Sequence, residues 1–315
     1  MTSTGIAVFA YNRPDHLRRV LSGLQRNDVD HLYIFADGTR NEQDQQRVSD
    51  VREVIDQIDY CRTTVTAHER NIGLAESLTG GIERVFEDHE RIIVLEDDCV
   101  PAQNFVSFMN TSLERYANDE RIMNVNGYSP PIEIPDDYSY DVYFTYRSSS
   151  WGWGTWRSAW EHFERDPLTV EELERKKNEF KRITDKAGKD LYPMMRDQLE
   201  GSIDSWAVWW SFAIAANDGL CLNPVDSKIR NIGHDGTGVH TGNTDRYEVD
   251  LDTTSVGELN FPDGPFVSKQ INSQYNRYIS GGRRNKLKRH AAELLKKLGL
   301  YKVYLRARDC FRSPN

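Results

Sequence analysis

The chain has 315 residues, of which 38% are hydrophobic and 28% charged, and its formal net charge is −9 at pH 7. This length fits one large domain or two small ones, and the composition is that of an ordinary soluble globular protein. The sequence contains no run of about 18 apolar residues, which excludes a membrane-spanning helix.

Four strand-like runs each lead into a helical pattern in the first part of the chain. GIAVFA (Gly5–Ala10) is followed by Pro14, which suits the first turn of a helix, and then by apolar residues at helical spacing. The other three runs are HLYIFA (His31–Ala36), CRTTVTAH (Cys61–His68) and IIVL (Ile92–Leu95). This order predicts an α/β fold, with a mostly parallel sheet and helices on both faces.

Polar residues follow each of the four predicted strands. They are Tyr11–Arg13, Asp37, Arg70–Gly73 and Glu96–Asp98. Because the carboxyl ends of parallel strands meet at one edge of a sheet, where open α/β sheets bind ligands, we expect the four loops to form one crevice.

Beyond residue 128 the pattern changes to turns, aromatic residues and mixed strands. Residues 164–200 are charged and predict helices, and DSWAVWWSFAIAAN (Asp204–Asn217) predicts a strongly apolar helix. A glycine-rich loop, NIGHDGTGVHTG, follows it. We therefore predict one domain over residues 1–282, in two halves at 1–128 and 129–282, and a tail at 283–315.

The charge is unevenly distributed between the body and this tail. Residues 283–315 have a net charge of +9, and the rest of the chain carries −18. Leucines alternate with the basic residues of the tail, a pattern typical of a segment that lies on an anionic membrane surface. A basic helix packed against the acidic body is the alternative. The acidic body itself argues against nucleic acid as a partner.

The four cysteines form no CxxC pair, and the first residues lack the pattern of a secretory signal. Both features favour a reduced, cytoplasmic protein. Together with the tail, they predict a cytoplasmic location, peripheral on the inner face of the plasma membrane.

The acidic triplet Glu96–Asp98 directly follows a buried strand. Three adjacent carboxylates repel one another, and a hard cation such as Mn²⁺ or Mg²⁺ relieves that repulsion. Capping of the next helix by Asp98 is the alternative. No GxxxxGK[ST] or GxGxxG motif follows any strand, so neither a P-loop nor a dinucleotide site is predicted. The remaining common ligand is a nucleotide-diphosphate sugar held through a metal.

The order of motifs resembles that of GT-A-fold glycosyltransferases, notably the N-acetylglucosaminyltransferase I family and bacterial family 2 sugar transferases. The resemblance extends from Gly5 to Thr241, and its pieces are VFAYNRPDHLRRVL, IFADG, RNIGLAESLTGGI, VLEDDCVP, SWGWGTW and IDSWAVWW. It implies a GT-A (Rossmann-like) fold, with residues 1–128 as the nucleotide-binding half and residues 129–282 as the acceptor half. It also implies transfer of a hexose or N-acetylhexosamine from a nucleotide-diphosphate donor, a UDP-sugar being favoured, to a hydroxyl of a glycan or lipid-linked glycan.

The resemblance also implies roles for the loop residues. Arg13 and Asp37 would bind the nucleotide, Glu96 the ribose and Asp97 a hydroxyl of the donor sugar, while Asp98 would hold the metal. The implied donor site comprises Ala10, Asn12, Arg13, Asp37, Arg70, Asn71, Gly73, Glu96 and Asp97. The alternatives are an ordinary Asp-Gly turn at Asp37 and a solvated surface charge at Arg70.

Asp204 is the residue that we predict to be the catalytic base of an inverting transfer. It precedes an apolar helix rich in tryptophan, an environment that can raise the pKa of a carboxylate. The alternative is an N-cap of that helix. The match of Asp204 to the Asp-Trp motif of the similar family favours the base.

Aromatic and histidine residues supply the remaining candidates. We predict that Trp151, Gly152 and Trp153 bind the acceptor sugar, and that Trp156 and Trp160 belong to the core. In the glycine-rich loop, His240 is predicted to join Asp98 on the metal, in preference to His234.

Two rival functions use the same residues differently. A glycoside hydrolase would use Asp98 and Asp204 as its two carboxylates. It would leave Asp37 and Arg70 without a purpose. A non-catalytic sugar-binding module would use the tryptophans alone and would need no metal. Binding of a nucleoside diphosphate distinguishes a glycosyltransferase from both.

Overall fold

The computed structural model describes residues 4–236, 244–252 and 258–281. The predicted metal ligand His240 and the predicted membrane-binding tail at 283–315 lie outside these ranges. In the part of the chain that is described, no helix has the length and apolar character needed to cross a membrane.

Ten strands and ten α-helices make up the described structure. The strands are β1 (Thr4–Ala10), β2 (His31–Ala36), β3 (Arg62–Ala67), β4 (Arg91–Glu96), β5 (Cys99–Pro101), β6 (Ile122–Asn126), β7 (Val142–Thr145), β8 (Trp153–Trp156), β9 (Leu220–Pro224) and β10 (Ile229–Asn231). The helices are α1 (Pro14–Gln25), α2 (Gln45–Asp56), α3 (Leu74–Phe86), α4 (Phe105–Arg115), α5 (Arg157–Trp160), α6 (Val170–Arg175), α7 (Lys177–Thr184), α8 (Leu191–Leu199), α9 (Trp206–Ala216) and α10 (Lys269–Ile279).

Eight of the strands form one sheet in the order β3-β2-β1-β4-β8-β6-β9-β7. The first four are mutually parallel, and β9 is parallel to β6. Antiparallel pairing is confined to β8, which lies between β4 and β6, and to the edge strand β7. The predicted α/β fold class is therefore confirmed, with a mostly parallel sheet and a mixed-strand second half.

Helices cover both faces of this sheet. At β8 the ring of Trp153 packs against Trp206 and Trp210 of α9 on one face. On the other face, a Cβ added to Gly154 would meet Met109 and Leu113 of α4. Because successive residues of a strand point to opposite faces, this single dipeptide shows that the sheet is buried on both sides.

The charged stretch at 164–200 forms helices α6, α7 and α8, as its pattern predicts. Leu173, Phe180, Leu191 and Met195 are buried there in a second hydrophobic cluster, together with Trp209 of α9. This helical layer therefore rests on α9, whose other tryptophans pack against the sheet.

A short ribbon of β5 and β10 lies next to the end of β4. The pairing is antiparallel, with Asn231 opposite Cys99. It brings the chain that follows β10 to the residues that follow β4, although the two segments are far apart in sequence.

Candidate functional site

The loops after β1 and β4 are joined at the carboxyl edge of the sheet. The backbone N–H of Tyr11 donates to Oδ2 of Asp97 at 3.2 Å. The Arg13 guanidinium contacts Asp97, and its Nη2 lies 2.9 Å from Oδ2 of Asp98. One arginine therefore bridges two carboxylates of the acidic triplet.

Burial makes the triplet electrostatically costly. Asp97 and Asp98 are only 3% and 8% exposed. Burial and the neighbouring Asp98 and Asp97 charges raise the pKa of Glu96 to about 8. Burial also raises the pKa of Asp97, against the opposing effect of Arg13. The positive charge of Arg13 therefore does not fully offset the burial and mutual repulsion of these carboxylates.

Segments from the second half of the chain complete the surroundings of Asp98. Its Oδ1 accepts hydrogen bonds from Nδ2 of Asn231 at 3.2 Å and from the Cys99 thiol at 3.4 Å. Its backbone oxygen accepts from the N–H of Ile232 at 2.9 Å. Gly233 is close enough that an added Cβ would lie 2.1 Å from Oδ2 of Asp98. Only glycine leaves this carboxylate oxygen room.

His234 is the next residue along, and it is 9% exposed. No described residue hydrogen bonds to either of its ring nitrogens. Its ring contacts those of Trp151 and Tyr247, at centroid distances of 5.2 and 4.6 Å. Burial lowers the pKa of His234, and the opposing effect comes from Asp98 and Asp235. A neutral imidazole beside a carboxylate is therefore available as a ligand.

Asp37 joins the loop after β2 to the loop after β3. Its carboxylate is buried and accepts four hydrogen bonds, a number that matches its acceptor capacity. The donors are the N–H of Gly38 at 2.8 Å, Nδ2 of Asn71 at 2.7 Å, the N–H of Ile72 at 2.9 Å and the N–H of Gly73 at 3.1 Å. Asp37 therefore holds the shape of this wall of the crevice.

The other predicted donor residues lie around this wall. Ala10, the last residue of β1, is buried, and the side chain of Arg70 is exposed. Gly73 has φ +86°, in the left-handed region that favours glycine, and it caps the start of α3. The nucleotide contacts of these residues stay a prediction.

Two contacts of the β1 loop are not indicated by any pattern in the sequence. The Tyr11 hydroxyl donates to Oδ2 of Asp44 at 2.5 Å, and Nδ2 of Asn12 donates to Oδ1 of Asp44 at 3.0 Å. Asp44 lies in a polar stretch between β2 and α2, where no local pattern marks it out. A prediction of the sheet order, with β2 beside β1, could have drawn attention to it.

The predicted division of the tryptophans needs one correction. Trp153 is fully buried, in contact with Trp160, Trp206 and Trp210, so it belongs to the core and not to a sugar-binding surface. The reason is strand periodicity, because β8 directs this ring toward α9. Trp156 and Trp160 are buried, as predicted.

Trp151 and Gly152 lie closer to the acidic triplet. Trp151 is partly buried and packs against Tyr128 and Tyr247 as well as His234. Gly152 has φ +57°, and a Cβ there would lie 2.4 Å from Ile229. Gly152 is thus required for packing, while Trp151 and Tyr247 form an aromatic wall beside His234.

Asp204 lies on the loop that leads into α9. Its side chain is 64% exposed, and Arg165 lies 3.4 Å away. The N-cap of α9 is Ser205, so Asp204 is neither the cap nor a buried carboxylate. Since α9 leads within three residues into β9, a strand that runs in the same direction as β4, the helix begins on the carboxyl side of the sheet. The catalytic role of Asp204 stays a prediction.

Within the described residues, no three or more His, Cys, Asp or Glu side chains are arranged to hold a metal ion. Asp98 lies near enough to His234 for its charge to act on the imidazole. A cation at this position would need its other ligands from a diphosphate and from water, which is usual for Mg²⁺ in phosphate sites.

Comparison with known proteins gives only distant similarities. No family model and no curated protein matches the chain. Among solved structures, the mannosyltransferase PcManGT from Pyrobaculum calidifontis in complex with GDP-Man and Mn²⁺ is 12% identical, over 69% of this chain and 74% of that one, with a TM-score of 0.40.

Two further solved structures are a cytidylyltransferase from Leptospira borgpetersenii and 4-diphosphocytidyl-2C-methyl-D-erythritol synthase from Anaerococcus prevotii. The first is 12% identical over 51% of this chain and 63% of that one, and the second is 10% identical over 49% and 71%. Both TM-scores are 0.32. Similarity at this level does not assign an activity, so the case for function rests on the site itself.

Proposed function

We propose that the protein is a metal-dependent, inverting glycosyltransferase. It would transfer a hexose or N-acetylhexosamine from a nucleotide-diphosphate sugar, a UDP-sugar being favoured, to a hydroxyl of a glycan or lipid-linked glycan. The observation that carries this proposal is the acidic triplet Glu96–Asp98, in which Arg13 contacts both buried aspartates, Asp97 and Asp98. His234, two residues after Ile232, which donates to the Asp98 backbone, has no hydrogen-bond partner on its ring among the described residues.

The residues at the triplet fit a divalent cation. Asp98 would hold it through carboxylate oxygen and His234 through a ring nitrogen, both ligand types that Mn²⁺ accepts. Among the described residues, neither ring nitrogen of His234 has a hydrogen-bond partner, which supports this assignment because a buried imidazole without a partner is costly unless a ligand completes it. When bound, the cation supplies Lewis-acid stabilisation of the negative charge on the departing diphosphate.

The chain's own residues would perform the remaining steps. Arg13 and the wall that Asp37 organises would hold the nucleotide. Asp204 would accept the proton of the acceptor hydroxyl while that oxygen bonds to the anomeric carbon of the donor. The bond from this carbon to the diphosphate oxygen breaks at the same time, and its electron pair leaves with the nucleoside diphosphate. A single displacement inverts the anomeric configuration.

A screen of UDP- and GDP-sugars with Mn²⁺ tests the proposal, with donor hydrolysis and thermal stabilisation as readouts. We expect Asp98→Asn to abolish both the hydrolysis and the Mn²⁺-dependent stabilisation. Asp119→Asn is a matched control, because Asp119 also pairs with an arginine, Arg121 at 2.6 Å, but lies just before β6 at the opposite edge of the sheet. A full-length protein that binds no nucleotide sugar or nucleoside diphosphate would refute the proposal.

A further inference from the structure

We propose that Asp44 is a positioning residue of the donor site, and that it acts through Tyr11 and Asn12. The inference rests on the proposed function. It assigns a role to a carboxylate that touches neither the triplet nor the predicted metal position.

Burial and contacts with its neighbours in the chain fix the position of Asp44. Asp44 is only 8% exposed and lies directly before α2. Its backbone N–H donates to Oδ1 of Asn41 at 3.2 Å. Arg40 lies 3.7 Å from Oδ2. A buried carboxylate with a fixed backbone provides a rigid anchor, because moving it would break several interactions together.

Both carboxylate oxygens of Asp44 are used on the β1 loop. Oδ2 accepts from the Tyr11 hydroxyl and Oδ1 from the Asn12 amide. The proton positions are well defined, since burial and this hydrogen bond raise the pKa of Tyr11 to about 12, while the same bond lowers the pKa of Asp44. The phenol remains the donor and the carboxylate the acceptor throughout the physiological range.

The β1 loop is thereby fixed on two sides. The Tyr11 hydroxyl is bound to Asp44, while the Tyr11 backbone N–H is bound to Asp97. Arg13, two residues further on, bridges Asp97 and Asp98. The position of Arg13 relative to the triplet therefore depends on a loop whose outer side is held by Asp44. Small displacements of a positioning group are costly to binding and catalysis.

The chain offers a matched control elsewhere. The Tyr33 hydroxyl donates to Oδ2 of Asp88 at 3.2 Å. Asp88 lies between α3 and the start of β4, so this second Tyr–Asp pair is at the opposite edge of the sheet from the triplet. It has the same chemistry without the proximity to the site.

The test compares Asp44→Asn and Asp88→Asn in the full-length protein. Calorimetry with UDP and with GDP, each in the presence of Mn²⁺, measures nucleoside diphosphate affinity, and thermal unfolding measures stability. Asp44→Asn keeps one acceptor for the phenol but turns an amide donor toward Asn12. We expect it to weaken binding about ten-fold, the order expected for lost hydrogen bonds to a charged group, and Asp88→Asn to leave binding unchanged.

Tyr11→Phe removes only the phenol oxygen, and it provides the same test if Asp44→Asn does not fold. We expect it to weaken binding too, and the double variant to lose less than the two single losses combined, because the two changes break one shared bond. Unchanged affinity in Tyr11→Phe or in folded Asp44→Asn would overturn the role of Asp44 and leave the proposed function standing. Absence of UDP and GDP binding by the wild type would refute both.

Discussion

Nη2 of Arg13 lies 2.9 Å from Oδ2 of Asp98, the carboxylate proposed to hold the metal. The guanidinium also contacts Asp97, and the side chain of Arg13 is only 18% exposed. A cation bound at Asp98 would compete with Arg13 for the same oxygen. Arg13 and the metal are therefore expected to oppose each other when no nucleotide is bound.

The first prediction follows from this competition. In Arg13→Ala, the affinity for Mn²⁺ alone should rise, by about ten-fold if one charge-assisted contact is removed, while the affinity for a nucleoside diphosphate should fall. Calorimetry with MnCl₂ measures the first effect and a titration with UDP or GDP the second. Arg18→Ala is the control, because Arg18 lies in α1, which begins directly after Arg13, and its ion pair with Asp15 is exposed. A lower Mn²⁺ affinity in Arg13→Ala would contradict the competition.

The second prediction concerns His234. His234→Ala should weaken Mn²⁺ binding, because it removes the imidazole proposed as the second protein ligand. His234→Gln should also weaken it, although its size and polarity are closer to the original. The control is His16→Ala, since His16 contacts Asp235 at 3.2 Å in the same region without reaching the triplet. Equal Mn²⁺ affinity in the wild type and both His234 variants would remove His234 from the site.

The third prediction concerns the base. Asp204→Asn keeps the size of the side chain but cannot accept the proton, so kcat should fall by about 10²–10⁴ with little change in donor affinity. Because the side chain is 64% exposed, the change should leave the thermal stability nearly unaltered. Arg165→Ala, which removes only the neighbouring charge, gives the comparison. A normal kcat in Asp204→Asn would show that another group takes the proton.

The fourth prediction is a pH dependence of stability. Glu96 has a pKa of about 8 in the folded protein, because of burial and its acidic neighbours, against an ordinary value of 4.5. The folded state therefore binds the proton more tightly than the unfolded state, and this residue destabilises the fold as pH rises between these two values. Glu96→Gln stays neutral and should remove that loss.

Thermal unfolding without metal at pH 5 and pH 8 measures the effect. The midpoint of Glu96→Gln should exceed that of the wild type more at pH 8 than at pH 5, by about 1.5 °C for each kcal/mol of repulsion removed in a chain of this length. Glu90→Gln, at an exposed position before β4, is the control. An equal difference at both pH values would show that Glu96 is not the group responsible.

The parts of the fold that could be predicted are those in which local pattern and burial agree. β1 and β4 are central strands, buried on both faces, so they appear in the sequence as apolar runs. The strand predicted at His31–Ala36 has the same bounds in the structure. The polar residues after these strands could be located for the same reason, since strand ends and parallel order together define one edge.

The contacts that could not be predicted depend on short or distant elements. β5 and β10 have three residues each, too few for a periodic pattern, yet their pairing brings Asn231 and Ile232 into hydrogen-bond contact with Asp98. Asp44 contacts Tyr11 because β2 pairs with β1, and no local sequence pattern indicates that pairing. The burial of Trp153 could not be predicted from its glycine- and tryptophan-rich segment, because only the side-chain alternation of β8 directs that ring toward α9.

The last prediction concerns the basic tail at residues 283–315. Each Lys or Arg near an anionic lipid surface is worth about 1 kcal/mol, and the tail carries a net charge of +9, so engagement of only some of these residues would give reversible binding. The full-length protein should sediment with phosphatidylglycerol vesicles at low salt, but not with phosphatidylcholine vesicles, and added salt should weaken the binding because it screens surface charge.

A variant that lacks 283–315 should stay in the supernatant and retain donor hydrolysis. Replacing Lys296 and Lys297 by Glu lowers the charge by four while keeping the length, and it should reduce binding without abolishing it. If the full-length protein remains in the supernatant with phosphatidylglycerol at low salt, the membrane-binding interpretation is wrong, and attraction between the tail and the acidic body is the explanation of its charge.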